Sequence, residues 1–313
     1  MERVDATLAD VEAALDVVRE VGVRTPTVPF ADGEPFLKLE NLQRLGAFKI
    51  RGVWNRVQRL SDEERKPGFS TISSGNHGRA LAWAANRLGV PCLVAFPEGA
   101  SPWKVAAIRE LNATIESMPR DALVRAHEEE LWRRWPQTFI HPFAHPHTIA
   151  GQGTAGWEIA DDLSDVRTVL VPVGGGGLSS GIAIAVKGRL SRAKVYGVQS
   201  EGAASLPEAL KTGSAFRVDR PSTIADGIGV GMIMPSMVDL LRRNLDGCLL
   251  VSDAEIQAAM RTLAYEAKVV AEPAGAAAFA AWRRYRERLD PPVVAVVSGG
   301  NVDPILLAEI LRA

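Results

Sequence analysis

Cysteine is scarce in this chain. Cys92 and Cys248 are the only two in 313 residues. No CxxC pair and no Cys/His spacing suited to zinc is present. Both cysteines sit in apolar stretches, PCLVAFP and GCLLVSD, and read as buried strand residues. Neither sign of charge is in surplus: Lys and Arg total 36, Asp and Glu 37, for a net charge of −1. A nucleic acid or an acidic membrane normally requires a basic surface, so the balance argues against both as partners. No apolar run approaches the ~20 residues that span a bilayer. The opening MERVDATLADVEAALD is charged and amphipathic, unlike a signal peptide. The expectation is a soluble cytoplasmic protein. Lysine is scarce too, 8 against 28 arginines, so each lysine can be weighed singly.

Apolar residues make up 47% and charged residues 23%, as in ordinary globular domains. Such a length holds one large domain or two ordinary ones. Thr7, with Asp10 three residues on, opens a helix in the manner of a capping box. RTPTVPF reads as a Pro-broken loop, FLKLE as a strand, and the stretch from Phe48 to Leu60 as a helix. A rhythm then sets in. FSTIS, PCLVAFP, ATIES, TVLVPV, KVYGVQS and PPVVAVV read as strands. RALAWAANRLG, SPWKVAAIRELN, RDALVRAHEEELWRR, AGWEIADDL, the stretch after GGGG, and EIQAAMRTLAYEA read as helices. HPFAHPHT, between them, reads as a loop where the chain crosses between two lobes. This alternation means an α/β fold of βαβ units with mostly parallel sheets. LWRRW and AWRRYRERL read as solvated amphipathic helices. GIGVGMIMP is either a mobile segment near an entrance or a subunit surface.

Binding sites in such folds lie beyond the carboxyl ends of the strands, and SSGNHG, GGGG and SGGN all fall there. Gly174, Gly175, Gly176 and Gly177 follow a strand and open a helix. Glycines let amide N–H groups approach an anion, and the helix N-terminus adds positive partial charge. The alternative is a tight turn with close strand–helix packing. The Walker lysine is absent, and Ser179 and Ser180 stand where the dinucleotide pattern needs its last glycine. A small phosphorylated cofactor fits better. The loop Ser73–Gly78 offers hydroxyls, an amide and an imidazole that could grip a carboxylate; a polar capped turn is the alternative. Lys49 lies at a helix start between Phe48 and Ile50. The helix dipole and the apolar neighbours both disfavour an ammonium there, as a Schiff-base lysine requires. An ordinary solvated lysine is the alternative. His141, His145 and His147 suggest a metal at first sight, but Pro142 and Pro146 break any regular ligand geometry, and no metal is expected.

Together LENLQRLGAFKIRG, SSGNHGRALAWAA, AGQGTAGWEI, VPVGGGGLSSGIA, TIADGIGV, EPAGAAAFAA and VVSGGN resemble the pyridoxal-phosphate serine/threonine dehydratase and serine racemase family. The resemblance runs from about residue 5 to 305, with the motifs in order. It implies the two-lobed fold type II architecture shared with tryptophan synthase β. It further implies a large cofactor-binding domain of residues 1–60 and 147–313 and a small mobile domain of 61–146. Lys49 matches the lysine that binds the cofactor aldehyde. Phe48 matches the residue beside the ring, Asn76 the amide on the ring hydroxyl, and Gly174–Gly177 the phosphate cup. Ser298 matches the hydroxyl facing the pyridine nitrogen. Ser73, Ser74, Asn76 and His77 match the loop that holds the substrate carboxylate, and Ser74 the second-face acid/base of racemases.

The implied activity is dehydration and deamination of L-threonine or L-serine to a 2-oxo acid and ammonia, by a homodimer or homotetramer. The alternatives are a serine racemase, a threo-3-hydroxyaspartate dehydratase with Arg79 as the extra cation, and a catalytically silent binding homologue. Three departures bear on these. Ala47 replaces the common serine before Phe-Lys. Gln199 and Ser205 stand where the racemase branch carries carboxylates for a divalent cation, with Glu201 nearby but shifted. No sequence follows residue 313, so a catalytic core without the regulatory domain of biosynthetic threonine dehydratases is expected. Glu272 in EPAGA is either close to the cleft or a structural carboxylate.

Overall fold

Two parallel sheets organise the chain. The computed structural model describes residues 4–31, 33–73, 75–119, 125–126 and 129–312. Among the described residues the strands are β1 (Thr27–Pro29), β2 (Phe36–Leu39), β3 (Phe69–Ile72), β4 (Cys92–Pro97), β5 (Thr114–Met118), β6 (Thr138–Phe139), β7 (Thr168–Pro172), β8 (Lys194–Ser200), β9 (Phe216–Arg217), β10 (Met232–Ile233), β11 (Gly247–Val251) and β12 (Val293–Val297). The large sheet runs β1-β2-β12-β7-β8-β11 and the small one β5-β4-β3-β6. Only the β1–β2 edge of the large sheet is antiparallel, as is the separate β9–β10 hairpin.

Alternation explains the two-sided core of the large sheet. Successive strand residues point to opposite faces. Val169, Val171, Val294 and Val296 therefore join one cluster, with helices Pro146–Asp162, Gly177–Arg189 and Pro235–Asn244. Leu170, Val293, Ala295 and Val297 join the other, with helices Asp253–Tyr265 and Pro273–Tyr285. Burial on both faces is why TVLVPV and PPVVAVV read as continuous apolar runs. The small sheet divides in the same way: Cys92, Val94 and Phe96 pack beneath helices Lys49–Gln58 and Asn76–Leu88, while Ala95 faces the opposite side.

Several local expectations are corrected. The loop expected over 141–148 ends at His145, and one helix runs from Pro146 to Asp162. Pro146 is tolerated because the first helical turn has no intrahelical use for its missing N–H, and the His145 side chain accepts from the His147 amide. RTPTVPF contributes β1, at the sheet edge, where proline costs no ladder bond. Residues 120–124, 127 and 128 of the helix expected over 120–134 lie outside the described residues. Leu131–Arg134 is a single 3-10 turn, with Trp132 stacked on Phe139 at 4.2 Å and Trp135 buried. Aromatic packing thus overrides the amphipathic pattern of LWRRW. The helix in AWRRYRERL stops at Tyr285. Cys92 is buried, but Cys248 is only partly so. Within GIGVGMIMP, Met232 and Met234 are buried in the large-lobe core.

Candidate active site

The carboxyl ends of β3, β7 and β12 converge on one cavity of about 370 Å³ between the lobes. Each strand delivers a motif there. β3 leads into Ser73–His77, β7 into Gly174–Gly177, and β12 into Ser298. Phe48, Lys49, Ser73, Asn76, His77, all four glycines and Ser298 line this cavity. Ser74 lies outside the described residues.

Lys49 is the first residue of the Lys49–Gln58 helix, whose N-cap, Phe48, makes no side-chain cap. Its Nζ donates to the Pro142 carbonyl at 3.0 Å and sits 5.0 Å from the Phe48 ring centroid. Burial lowers the ammonium to about 8 from an ordinary 10.5, with Glu272 opposing the shift. The amine is thus poised near neutrality in a mostly apolar setting.

The glycine run forms a concave backbone. Gly176 has φ +93°, and Gly177 begins the Gly177–Arg189 helix. A Cβ on Gly175 would lie 2.4 Å from the Phe143 ring. Only a chain without side chains fits this turn, and its first-turn amides have no intrahelical acceptors. This is a cradle for an anion at a helix N-terminus. With the Lys49 amine and the buried Ser298 in the same cavity, the residues present fit a phosphorylated aldehyde cofactor.

The remaining loop residues are partly engaged. His77 is buried, with Nε2 3.0 Å from the Ile140 carbonyl oxygen. Ser73 Oγ accepts from the Gly75 amide at 3.3 Å. Asn76 Nδ2 donates to Glu272 Oε1 at 2.7 Å. Glu272 therefore belongs to the cavity wall. Burial raises its carboxyl to about 8, and Asp226 adds to the rise while Lys104, Asn76 and Lys49 oppose it. Arg79 lines the cavity rather than the surface. Sequence reasoning left Asn301 unassigned, although it too lines the cavity and donates to Asn76 Oδ1 at 2.7 Å. Its signal was the SGGN turn at the carboxyl end of β12.

Gln199 and Ser205 are both fully buried and bonded to each other, Nε2 to Oγ, at 3.3 Å. Gln199 also accepts from the Leu206 amide at 2.7 Å. The histidines of HPFAHPH serve the loop itself: His141 Nδ1 accepts from the Ala144 amide at 2.9 Å. Burial drives the His145 imidazole down to about 3, with Arg56 and His147 assisting. Both cysteine thiols are pushed up to about 12 by burial, so neither is a nucleophile at neutral pH.

Known proteins resemble this chain in sequence and fold. A family model described as pyridoxal-phosphate dependent enzyme matches residues 19–299. An L-threonine ammonia-lyase of Thermotoga maritima is 39% identical over 314 residues, covering 98% of this chain and 78% of that protein. A serine racemase of Schizosaccharomyces pombe is 35% identical over 305 residues, covering 95% of this chain and 94% of that protein. Among solved structures, a maize serine racemase matches with a TM-score of 0.90 and 28% identity, over 98% of this chain and 97% of that one.

Proposed function

Because the chain belongs to the pyridoxal-phosphate-dependent enzymes, we propose that it is an ammonia-lyase that converts L-threonine or L-serine to a 2-oxo acid and ammonia. The observation that carries this reading is the Lys49 amine, lowered to about 8, in the same cavity as the glycine cradle. The 39% identity to an L-threonine ammonia-lyase supports the choice of substrate.

Bound pyridoxal 5′-phosphate supplies an aldehyde that condenses with amines and a ring that withdraws charge from the substrate Cα. Gly174–Gly177 would hold its phosphate through amide N–H groups. Phe48, Asn76 and Ser298 line the same cavity. Phe48 would pack beside the ring, Asn76 would serve the ring hydroxyl, and Ser298 would serve the ring nitrogen. A hydroxyl there, unlike a carboxylate, need not hold that nitrogen protonated, which suits elimination better than transamination. Ser73, Ser74, Asn76 and His77 hold the substrate carboxylate. Lys49, once free, takes the Cα proton; its lowered pKa leaves a usable fraction of neutral amine at physiological pH. Loss of the β-hydroxyl as water, then hydrolysis of the enamine, gives the 2-oxo acid and ammonia. We assign motion over the cavity to residues 61–146 against 1–60 and 147–313.

A second reading, serine racemase, is favoured by the 35% identical S. pombe protein. Ser74 would then act on the opposite face of Cα. One experiment addresses both. The full chain with pyridoxal phosphate is given L-threonine and L-serine, and visible absorption, 2-oxo acid and D-serine are measured. A cofactor band that responds to substrate, with 2-oxobutanoate formed, is the expected result. Lys49→Ala should lose the native band and lower turnover by roughly 10²–10⁴-fold or more. D-serine outpacing pyruvate would transfer the assignment to the racemase. No cofactor band at all would remove both.

A further inference from the structure

Four side chains from both lobes form one hydrogen-bonded line in the cavity wall. Arg79 Nη1 donates to Asn301 Oδ1 at 2.9 Å. Asn301 Nδ2 donates to the Leu45 carbonyl at 2.7 Å and to Asn76 Oδ1 at 2.7 Å. Asn76 Nδ2 donates to Glu272 Oε1 at 2.7 Å. Arg79 and Asn76 belong to the small-lobe helix Asn76–Leu88; Asn301 and Glu272 follow and precede large-lobe elements.

Chemistry forces the direction of this line. A guanidinium only donates, and a backbone carbonyl only accepts. Asn301 lies between the two, so its oxygen must face Arg79 and its nitrogen Leu45. That nitrogen also faces Asn76, so Asn76 turns its oxygen toward Asn301 and its nitrogen toward Glu272. The usual ambiguity of amide orientation does not arise here. The slot is built for these side chains. At Gly46 (φ +74°) a Cβ would lie 2.6 Å from Asn301 Oδ1, and at Gly299 one would lie 2.3 Å from Glu272 Oε1.

We propose that Arg79 and Asn301 are positioning residues that lock Asn76 with an amide N–H, not a carbonyl, available to the ring oxygen of pyridoxal phosphate. One Nδ2 hydrogen goes to Glu272; the other is left for the cavity that Asn76 lines. An ionised ring oxygen accepts hydrogen bonds and is repelled by a carbonyl. The inference rests on the reading of Asn76 as the ring partner.

The test compares cofactor-free full-length variants by two readouts: pyridoxal phosphate Kd from absorption and tryptophan fluorescence, and Tm without cofactor. Asn301→Asp is isosteric but can donate neither to Asn76 nor to the Leu45 carbonyl. Asn76 then turns its nitrogen to the new carboxylate and its oxygen to Glu272. Adding Glu272→Gln completes the reversed line. The expected result is cofactor affinity roughly tenfold to a hundredfold weaker in Asn301→Asp, with the double variant recovering part of the lost Tm, since the Leu45 carbonyl stays unpaired, but none of the affinity. Arg79→Met, at a partly exposed position, carries the same test should Asn301→Asp fail to fold, with an expected loss of about threefold to tenfold. Wild-type affinity in these variants would overturn the proposal, as would joint recovery of Tm and affinity in the double variant. Asn76→Ala separates the failures. Should it also bind like wild type, the assignment of Asn76 to the ring falls; should it alone bind weakly, only the locking role falls. A wild-type chain that does not take up the cofactor would overturn both.

Discussion

Lys49 and Glu272 face the same cavity and are displaced in opposite directions to about 8. Burial is the first cause for each, and it favours the neutral form of both. Their effects on stability differ in sign and in window. The Glu272 carboxyl titrates near 4.5 when unfolded and near 8 when folded. Between those values the folded state holds the extra proton, so this group stabilises at low pH and the gain is lost as pH rises through 8. Lys49 titrates near 10.5 unfolded and 8 folded. Between those values the unfolded state holds the extra proton, so its cost is full below 8 and fades toward 10.5. Urea unfolding of the cofactor-free protein should show this. The stability of Glu272→Gln relative to wild type should climb steadily from pH 5 to pH 8 and then level. That of Lys49→Met should be constant up to about pH 8 and fall above it. A difference flat with pH in either variant would remove the corresponding assignment.

Glycine plays two roles in elements that look alike in sequence. In GGGG it opens a turn; in AGQGTAG and GLSSG it lets two helices touch. A Cβ on Gly153 would lie 2.8 Å from the Gly181 carbonyl oxygen, and one on Gly181 would lie 2.4 Å from the Ile149 carbonyl oxygen. Helices Pro146–Asp162 and Gly177–Arg189 therefore cross backbone to backbone. Gly181→Ala adds helix propensity of about 1 kcal/mol, but overpacking at a rigid carbonyl costs about 1–3 kcal/mol. The clash should win, and Tm should fall by several degrees; an unchanged or raised Tm would show that the crossing can relax. This double use of glycine explains what was legible in the sequence. The short, continuous apolar runs TVLVPV and PPVVAVV gave strands, because a β-branched run buried on both faces is a local signal. The start of the helix at Pro146 was hidden, because a proline reads as a break although the first turn accepts it, and the glycines that follow serve packing partners distant in sequence. The same holds in the site. Lys49, Asn76, the glycine run and Ser298 stood out as ordered motifs. Asn301 did not, because its role depends on Arg79 and Leu45, which only the fold brings together.

At the scale of the whole molecule, the question is how the lobes hold Lys49 between them. Its helix contributes Ile50, Val53, Trp54 and Val57 to the small-lobe core. The same helix is tied to the large lobe through Arg51, which is 1% exposed and bonds Glu40 and Glu158, each at 2.8 Å or less. Burial works against the Arg51 charge, but the two carboxylates outweigh it and hold the guanidinium above its ordinary value. Asn55 Nδ2 adds a bond to the His147 carbonyl at 2.6 Å. This junction is buried and held by several hydrogen bonds. The far side of the cavity differs. There Lys104, on the small-lobe helix Pro102–Arg109, pairs with Asp226, and Ser101 Oγ donates to Asp303 Oδ2 at 3.3 Å. The ionic partners keep side-chain exposures of 19% and 51%, so the pair is worth no more than about 1 kcal/mol and is screened by salt. The two sides of the cavity are thus tied by a buried ion-pair junction near Lys49 and by a partly exposed pair at the mouth. Asp226→Asn should speed release of pyridoxal phosphate by no more than about fivefold. Salt at about 0.5 M should have a similar effect on wild type and little on the variant. The same variant removes the like charge beside Glu272, so the apparent titration of that carboxyl should move down from about 8. Release measured by stopped-flow capture of free cofactor at two salt concentrations checks the first pair of expectations. A release rate that rises a hundredfold would mean that the mouth, not the Arg51 junction, holds the lobes together.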